Sequence, residues 1–391
     1  MFWLGVILTY SWNVKPADSL PNQILYLTPY SKTTPVHGGK IRAHQIADIL
    51  GGLDSNLEIL ELGDCDYRFR PSKFDLSGIP STLVGDLEMF ERDYALSEKN
   101  YTNLKLIVFE QPWSWYEVKD LKKKYPNSKI VYSAQNIEFQ LKGKILTQYL
   151  GNQASSIVEE IRKIEIEIAN TVDRVVVVSE IDAEWYSQFT RRDPVLAPNG
   201  AVKRVPSPKI GTGSNQSKAL VVGSAHPPNI EGCLKFLSDP DLWMPPNAQI
   251  VVAGSLAAAL IDHWGQIRNR WGQPCVEFIP EVSDSELTQL LDESNVILLP
   301  IAYGGGTNLK TAEALVAGRP IVASHQAFRG FEGFTGDSGV KIAQSNMEFK
   351  IFTCARLIGS RIPTKEREIS DLLWNSTLRS LASCVLELIN G

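Results

Sequence analysis

The sequence predicts an α/β protein built from two doubly wound domains facing across a cleft, and three observations carry that reading. From Gln23 onward short apolar runs alternate with amphipathic stretches, as in a parallel sheet covered by helices on both faces. The alternation begins afresh at Ala219-Leu220-Val221-Val222-Gly223. Between the halves, residues 198–218 hold three prolines, three glycines and three serines with little periodicity, the composition of a linker. A length of 391 residues agrees, because a single core seldom grows beyond about 250–300 residues.

The first strand is expected at 24–27, followed by a polar loop through His37-Gly38-Gly39 and a helix over about 40–50. Further strands fall at 57–62, 104–109, 129–133 and 174–179. Before the last of these, Ile157, Ile161, Ile164 and Ile168 recur at helical spacing, while Glu159, Glu160, Arg162, Lys163, Glu165 and Glu167 occupy the remaining surface, so this helix buries an apolar stripe. The second half offers strands at 219–223, 250–253, 276–279, 296–299 and 321–323, with a helix after Pro228. A final helical stretch from 364 to 389 is expected to pack back across both domains. The expected partition is an N-terminal extension (1–21), a first Rossmann-like domain (22–200), a linker (201–218), a second Rossmann-like domain (219–363) and the terminal helix (364–391).

Composition narrows the function classes. Hydrophobic residues make up 43% and charged residues 21%, ordinary values for a soluble globular chain. Lys and Arg total 39 against 44 Asp and Glu, a net charge of −5 that argues against a general nucleic-acid binder. Cys65, Cys233, Cys275, Cys354 and Cys384 lie far apart and form no C-x-x-C pair, which suits a reducing, cytoplasmic setting without structural zinc. Residues 1–12 are apolar and aromatic, yet no Lys or Arg precedes them and the run is too short to cross a bilayer. They read as an extension that makes a peripheral membrane or partner contact. The paired Trp113 and Trp115 read first as core or interface residues and second as a platform for a sugar ring.

The stretch from 296 to 320 carries the chemistry. An apolar run over 296–299 ends in Gly304-Gly305-Gly306, and Leu309, Ala312 and Val316 then recur at helical spacing until Gly318 and Pro320 stop the pattern. A helix is expected over 307–317. Its first amide N–H groups lack intrahelical partners and three residues of the loop lack side chains, so an anion such as phosphate is the natural guest. The helix dipole contributes only about 0.3–2 kcal/mol, so the cation of Lys310 matters for a diphosphate. Glu313 lies beside the buried stripe, where a carboxylate needs a hydrogen-bond task. The plainer reading is a common glycine turn, with Lys310 and Glu313 as a surface pair worth a few tenths of a kcal/mol. Loops 35–39 and 304–306 both follow strands, and so lie on the facing sheet edges where such folds bind ligands.

In order along the chain stand His37-Gly38-Gly39-Lys40-Ile41-Arg42, Gln135-Asn136-Ile137-Glu138, Val178-Ser179 and Pro198-Asn199-Gly200. Val221-Val222-Gly223-Ser224, Pro227-Pro228-Asn229, the glycine loop with Lys310 and Glu313, and Ala327-Phe328-Arg329-Gly330 follow. This ordered set resembles the retaining GT-B glycosyltransferases of family 4, in their glycine-rich variant with a downstream lysine, over residues 23–361. The resemblance implies transfer of a sugar from a nucleotide-sugar donor (UDP-, GDP- or ADP-linked) to a glycan, lipid or small-molecule acceptor. It implies retained anomeric configuration and no metal or other cofactor. It places the diphosphate on Gly304, Gly305, Gly306, Thr307, Asn308 and Lys310, the ribose on Glu313, and the sugar phosphate against Gly38 and Gly39. Lys310, Glu313 and His37 are the catalytic candidates, although a lone loop histidine is more often structural. Arg42, Gln135, Asn136 and Glu138 are candidates for the acceptor side, with Arg42 equally readable as a solvated helix residue.

Two departures from that pattern matter. Gly305 stands eight positions before Glu313, where many similar sequences carry a glutamate, and Gln135 stands where they often carry histidine. Glutamine cannot act as a general base, so proton transfer would fall to the departing phosphate. These departures motivate the alternative of a nucleotide-sugar-binding or scaffold protein with impaired turnover. A nucleotide-sugar epimerase of the same architecture would need acid–base carboxylates that the sequence does not reveal. A dinucleotide-dependent oxidoreductase fails, because no G-x-G-x-x-G follows the first strand.

Overall fold

The computed structural model describes residues 23–32, 37–71, 74, 76, 79, 85, 87–204, 216–268, 272–359 and 369–390. The expected extension at 1–21, Pro35, linker residues 205–215 and positions 364–368 lie outside the described residues.

The first sheet comprises β1 (Gln23–Thr28), β2 (Glu58–Glu61), β3 (Leu104–Glu110), β4 (Lys129–Ser133), β5 (Arg174–Val177) and β6 (Val195–Leu196), in the order β2-β1-β3-β4-β5-β6. Every pairing in it is parallel. The second contains β7 (Ser217–Val222), β8 (Ala248–Ala253), β9 (Val276–Ile279), β10 (Val296–Leu299), β11 (Ile321–Ser324) and β12 (Val340–Ala343), in the order β9-β8-β7-β10-β11-β12, again all parallel. Two doubly wound domains are therefore present, as expected. The strand order reverses between β1 and β3 in one sheet and between β7 and β10 in the other. Such reversals are where doubly wound sheets generally bind ligands, beyond the C-terminal strand ends.

Strand alternation distributes the apolar residues to two faces of each sheet. In the first, Leu25, Leu27, Ile107 and Phe109 enter one core and Ile24, Tyr26, Leu106 and Val108 the other. In the second, Ile250, Val252, Val296 and Leu298 oppose Val251, Ala253, Ile297 and Leu299. The isoleucine stripe lies on α4 (Ala154–Thr171), and all four of its members are buried in the first core. Trp113 and Trp115 are also fully buried there, which settles their role as packing.

The chain returns from the second domain to the first at its C-terminal end. Leu372 packs in the second domain and its carbonyl accepts from Ala201 N–H at 2.8 Å. Beyond it, Trp374, Leu378, Leu381 and Val385 lie against Ile24, Tyr26, Val131 and Val176. The last three of those four C-terminal residues precede or belong to the final helix, Arg379–Asn390, whose Glu387 pairs with Arg174 at 2.9 Å and Arg192 at 3.1 Å. Among the described residues no helix is long and apolar enough to cross a membrane.

Candidate active site

The first-domain wall is built where β1, β3 and β4 end. Helix α1 (Gly38–Leu53) begins earlier than its apolar pattern suggests, with extended His37 as its N-cap, so Gly38 and Gly39 form its first turn. The His37 ring packs edge-on against Tyr30 at 4.9 Å, and its side chain makes no cap hydrogen bond. A side chain at Gly39 would collide with the Tyr30 hydroxyl and Gln135 Oε1, so glycine is required for that close approach.

One turn into α1 stands Arg42, which is not a solvated residue: it is 1% exposed. The apolar surroundings lower its guanidinium to about 10, opposed by the nearby Glu110 charge. Its Nη1 donates to Asn199 Oδ1 at 3.2 Å, while Nε and Nη2 find no acceptor among the described residues. Glu110, the last residue of β3, is fully buried. Burial pushes its carboxyl up to about 7 against the counteracting effects of Arg42 and of hydrogen bonds from Gln135, Tyr26 and Thr28. Gln135 Nε2 donates to Glu110 Oε1 at 3.2 Å, and its Oε1 accepts from the Tyr30 hydroxyl at 3.2 Å. The titratable group behind Gln135 is therefore Glu110. Sequence reasoning passed over it because it closes an otherwise apolar run, although an acid at the C-terminal end of a switch-point strand was a usable signal. Glu138 is buried at the start of α3 (Glu138–Leu150), where it accepts from Asn136 Nδ2 at 3.0 Å.

The second-domain wall is the glycine loop. Helix α9 (Leu309–Ala317) begins two residues later than the expected 307, because Asn308 is its N-cap and its Oδ1 accepts from Lys310 N–H at 3.1 Å. Thr307 and Asn308 thus belong to the loop. Among the described residues the amides of Gly305, Gly306, Thr307 and Asn308 find no acceptor. Lys310 lines a small cavity with Asn229, Cys233 and Pro300. Desolvation lowers its ammonium, and Glu313 and the Cys233 thiol act in the opposite sense. Glu313, with its side chain 24% exposed, lies 3.8 Å from Arg204. Burial raises its carboxyl, and Arg204 and Lys310 hold it down.

The walls meet, which the sequence did not show. Gly306 adopts φ +55°, and a Cβ there would fall 2.3 Å from Gln135 O. Gly305 packs on Asn136, and Gly38 faces Leu309 across the cleft. The glycines at 305 and 306 therefore do not simply open the loop to a ligand; they let it lie against the Gln135-Asn136 turn. Gly305 and Gln135, the two departures from the family pattern, stand at this same contact. Asn199 adds a polar link, with its Nδ2 donating to Thr307 O at 3.0 Å and its N–H to Thr307 Oγ1 at 3.3 Å. Nearby, Arg329 donates to buried Asp182 at 2.5 Å, joining the domains by an ion pair. Among the described residues no three His, Cys, Asp or Glu side chains gather as a metal-binding group.

A half-buried, desolvated cation thus stands beside amides without acceptors at a helix start, opposite a second polar wall, an arrangement able to hold an anion. Residues 216–350 match the model of the glycosyl transferases group 1. That span contains the whole glycine loop, Lys310 and Glu313. The fold is also similar to a sucrose-phosphate synthase from Thermosynechococcus elongatus (TM-score 0.65, 16% identity, covering 94% of this chain and 100% of that one). It is similar to a UDP-forming α,α-trehalose-phosphate synthase from Burkholderia xenovorans (TM-score 0.63, 11% identity, covering 95% and 99%). A third likeness is to the E. coli trehalose-6-phosphate structure bound with UDP-2-fluoro glucose (TM-score 0.59, 12% identity, covering 94% and 99%). The two domains thus have the GT-B architecture. A comparison with curated protein sequences gives no match. Identities this low speak to fold alone, and activity has to be argued from the site.

Proposed function

We propose that the chain is a glycosyltransferase that moves a sugar from a nucleotide-sugar donor to an acceptor with retention of anomeric configuration and without a metal. The observation that supports this most is Lys310, desolvated beside the free N–H groups that open α9 and within the segment matching the group 1 glycosyl transferases. An ammonium held partly out of water asks for a counter-charge, and a departing diphosphate supplies one. Fixed donors aimed at developing charge stabilise a transition state without reorganising. In this reading Lys310 and the amides of Gly305, Gly306, Thr307 and Asn308 take the diphosphate, and Glu313 turns from Arg204 to the ribose hydroxyls. The acceptor approaches from the Gln135 side. Because Gln135 carries no exchangeable base, the leaving phosphate accepts the acceptor's proton.

The test is a thermal-shift screen of the full chain with UDP, GDP, ADP and their sugars. One nucleotide should raise the Tm as RT ln(1 + [L]/Kd). Lys310→Met and Glu313→Ala should abolish most of that shift. A panel with no shift, or variants that respond like the parent, would defeat the proposal. A shift without sugar transfer or donor hydrolysis would instead favour a binding protein that has lost turnover, the reading motivated by Gly305 and Gln135.

A further inference from the structure

We propose that Asn199 is a positioning residue that orients the diphosphate-binding amide of Asn308, and that buried Arg42 fixes which way the Asn199 carboxamide faces; the inference rests on the transferase reading above. Arginine has only donors, so its 3.2 Å contact assigns Oδ1 to the Arg42 side of the carboxamide. Nδ2 then faces Thr307, whose carbonyl accepts at 3.0 Å, while the Asn199 N–H engages the Thr307 hydroxyl at 3.3 Å. Thr307 is thereby held at both its carbonyl and its side chain. The peptide between Thr307 and Asn308 is planar and trans, so pinning the carbonyl on one side aims the Asn308 N–H to the other. That N–H has no acceptor among the described residues, and it stands immediately before the helix that carries Lys310.

The choice of asparagine is itself informative. A carboxylate at 199 would give the buried guanidinium a charge-assisted partner, the stronger arrangement for Arg42 alone. It would also set two acceptors, the carboxylate and Thr307 O, against each other. Asparagine gives up the ion pair and keeps the donor, which is useful only if the Thr307 carbonyl must be held. The link also spans three parts of the molecule: α1 of the first domain, the crossing segment and the donor loop of the second domain.

Asn199→Asp separates positioning from scaffolding. If Asn199 only satisfies Arg42, the aspartate variant keeps or raises the Tm and binds nucleotide like the parent. If it positions Asn308, the variant keeps its Tm yet loses affinity at least tenfold for whichever of UDP, GDP and ADP the parent binds, measured by calorimetry at a temperature where circular dichroism shows folded protein. Should the aspartate variant fold poorly, Asn199→Ser, too short to reach Thr307 O, should show the same loss. Parental affinity in a folded variant overturns the inference while leaving the transferase reading intact. A parent that binds none of the three nucleotides overturns that reading and this inference with it.

Discussion

Replacing Glu110 by glutamine removes a carboxyl that is fully buried and titrates near 7 because of that burial. A folded-state value raised above the unfolded 4.5 stabilises the fold fully below about pH 4.5, and the contribution is lost as pH rises through 7. The loss is on the order of 3 kcal/mol for a shift of this size. Urea unfolding of parent and Glu110→Gln at pH 5 and pH 8 should therefore show the variant gaining on the parent at the higher pH. Equal differences at the two values would mean that Glu110 is ionised throughout. The sequence could not rank Glu110 or Arg42, because burial depends on which strands and helices stack on them. An arginine one turn into a helix is usually solvated, and only the position of Asn199 and the end of β3 makes this one interior. Gln135 and the glycines were visible as residues, but their mutual contact was not.

Helix α3 shows what an element needs at its start. Its first N–H groups, those of Glu138 and Phe139, donate to Glu165 at 2.8 and 2.9 Å, and the Tyr186 hydroxyl donates to the same carboxylate at 2.9 Å. A side chain of α4 thus caps another helix from inside the core. Glu165→Ala should cost about 3 kcal/mol by stranding these donors, and Glu165→Gln should cost less because its amide oxygen still accepts. Chemical denaturation reads both, and an alanine variant within 0.5 kcal/mol of the parent, roughly the scatter of neutral surface changes, would contradict the capping role. From sequence, Glu165 looked like one of several acids on a solvated face. The strands, by contrast, were legible as apolar runs, and Gly318 marked the end of α9 through its left-handed φ of +70°. The start of α9 was less legible, since Thr307 and Asn308 can each serve as a cap.

At the scale of the whole molecule, part-buried polar contacts help to join the two domains among the described residues. The Arg329–Asp182 pair links positions 147 residues apart, and the Asp182 side chain is 1% exposed and also held by Ser179. Removing one partner of such a pair is more damaging than removing both. Arg329→Ala should destabilise by about 3–5 kcal/mol, and the Arg329→Ala, Asp182→Asn double variant should recover part of that loss in a thermodynamic cycle. Additive losses would show that the two side chains do not depend on each other. Contacts of this range leave no periodic mark in a sequence, so two domains were readable and their mode of closure was not.

The second crossing of the chain has a consequence for how the protein can be divided. Trp374, Leu378, Leu381 and Val385 fill one face of the first-domain sheet, although they follow the second domain in the chain. The first domain is therefore discontinuous in sequence. A fragment cut at the linker would leave Ile24, Tyr26, Val131 and Val176 without their cover, whereas supplying residues 369–390 as a separate peptide should restore it. The connection between the domains, correspondingly, consists of two chain segments that meet at the bridge between Ala201 and Leu373.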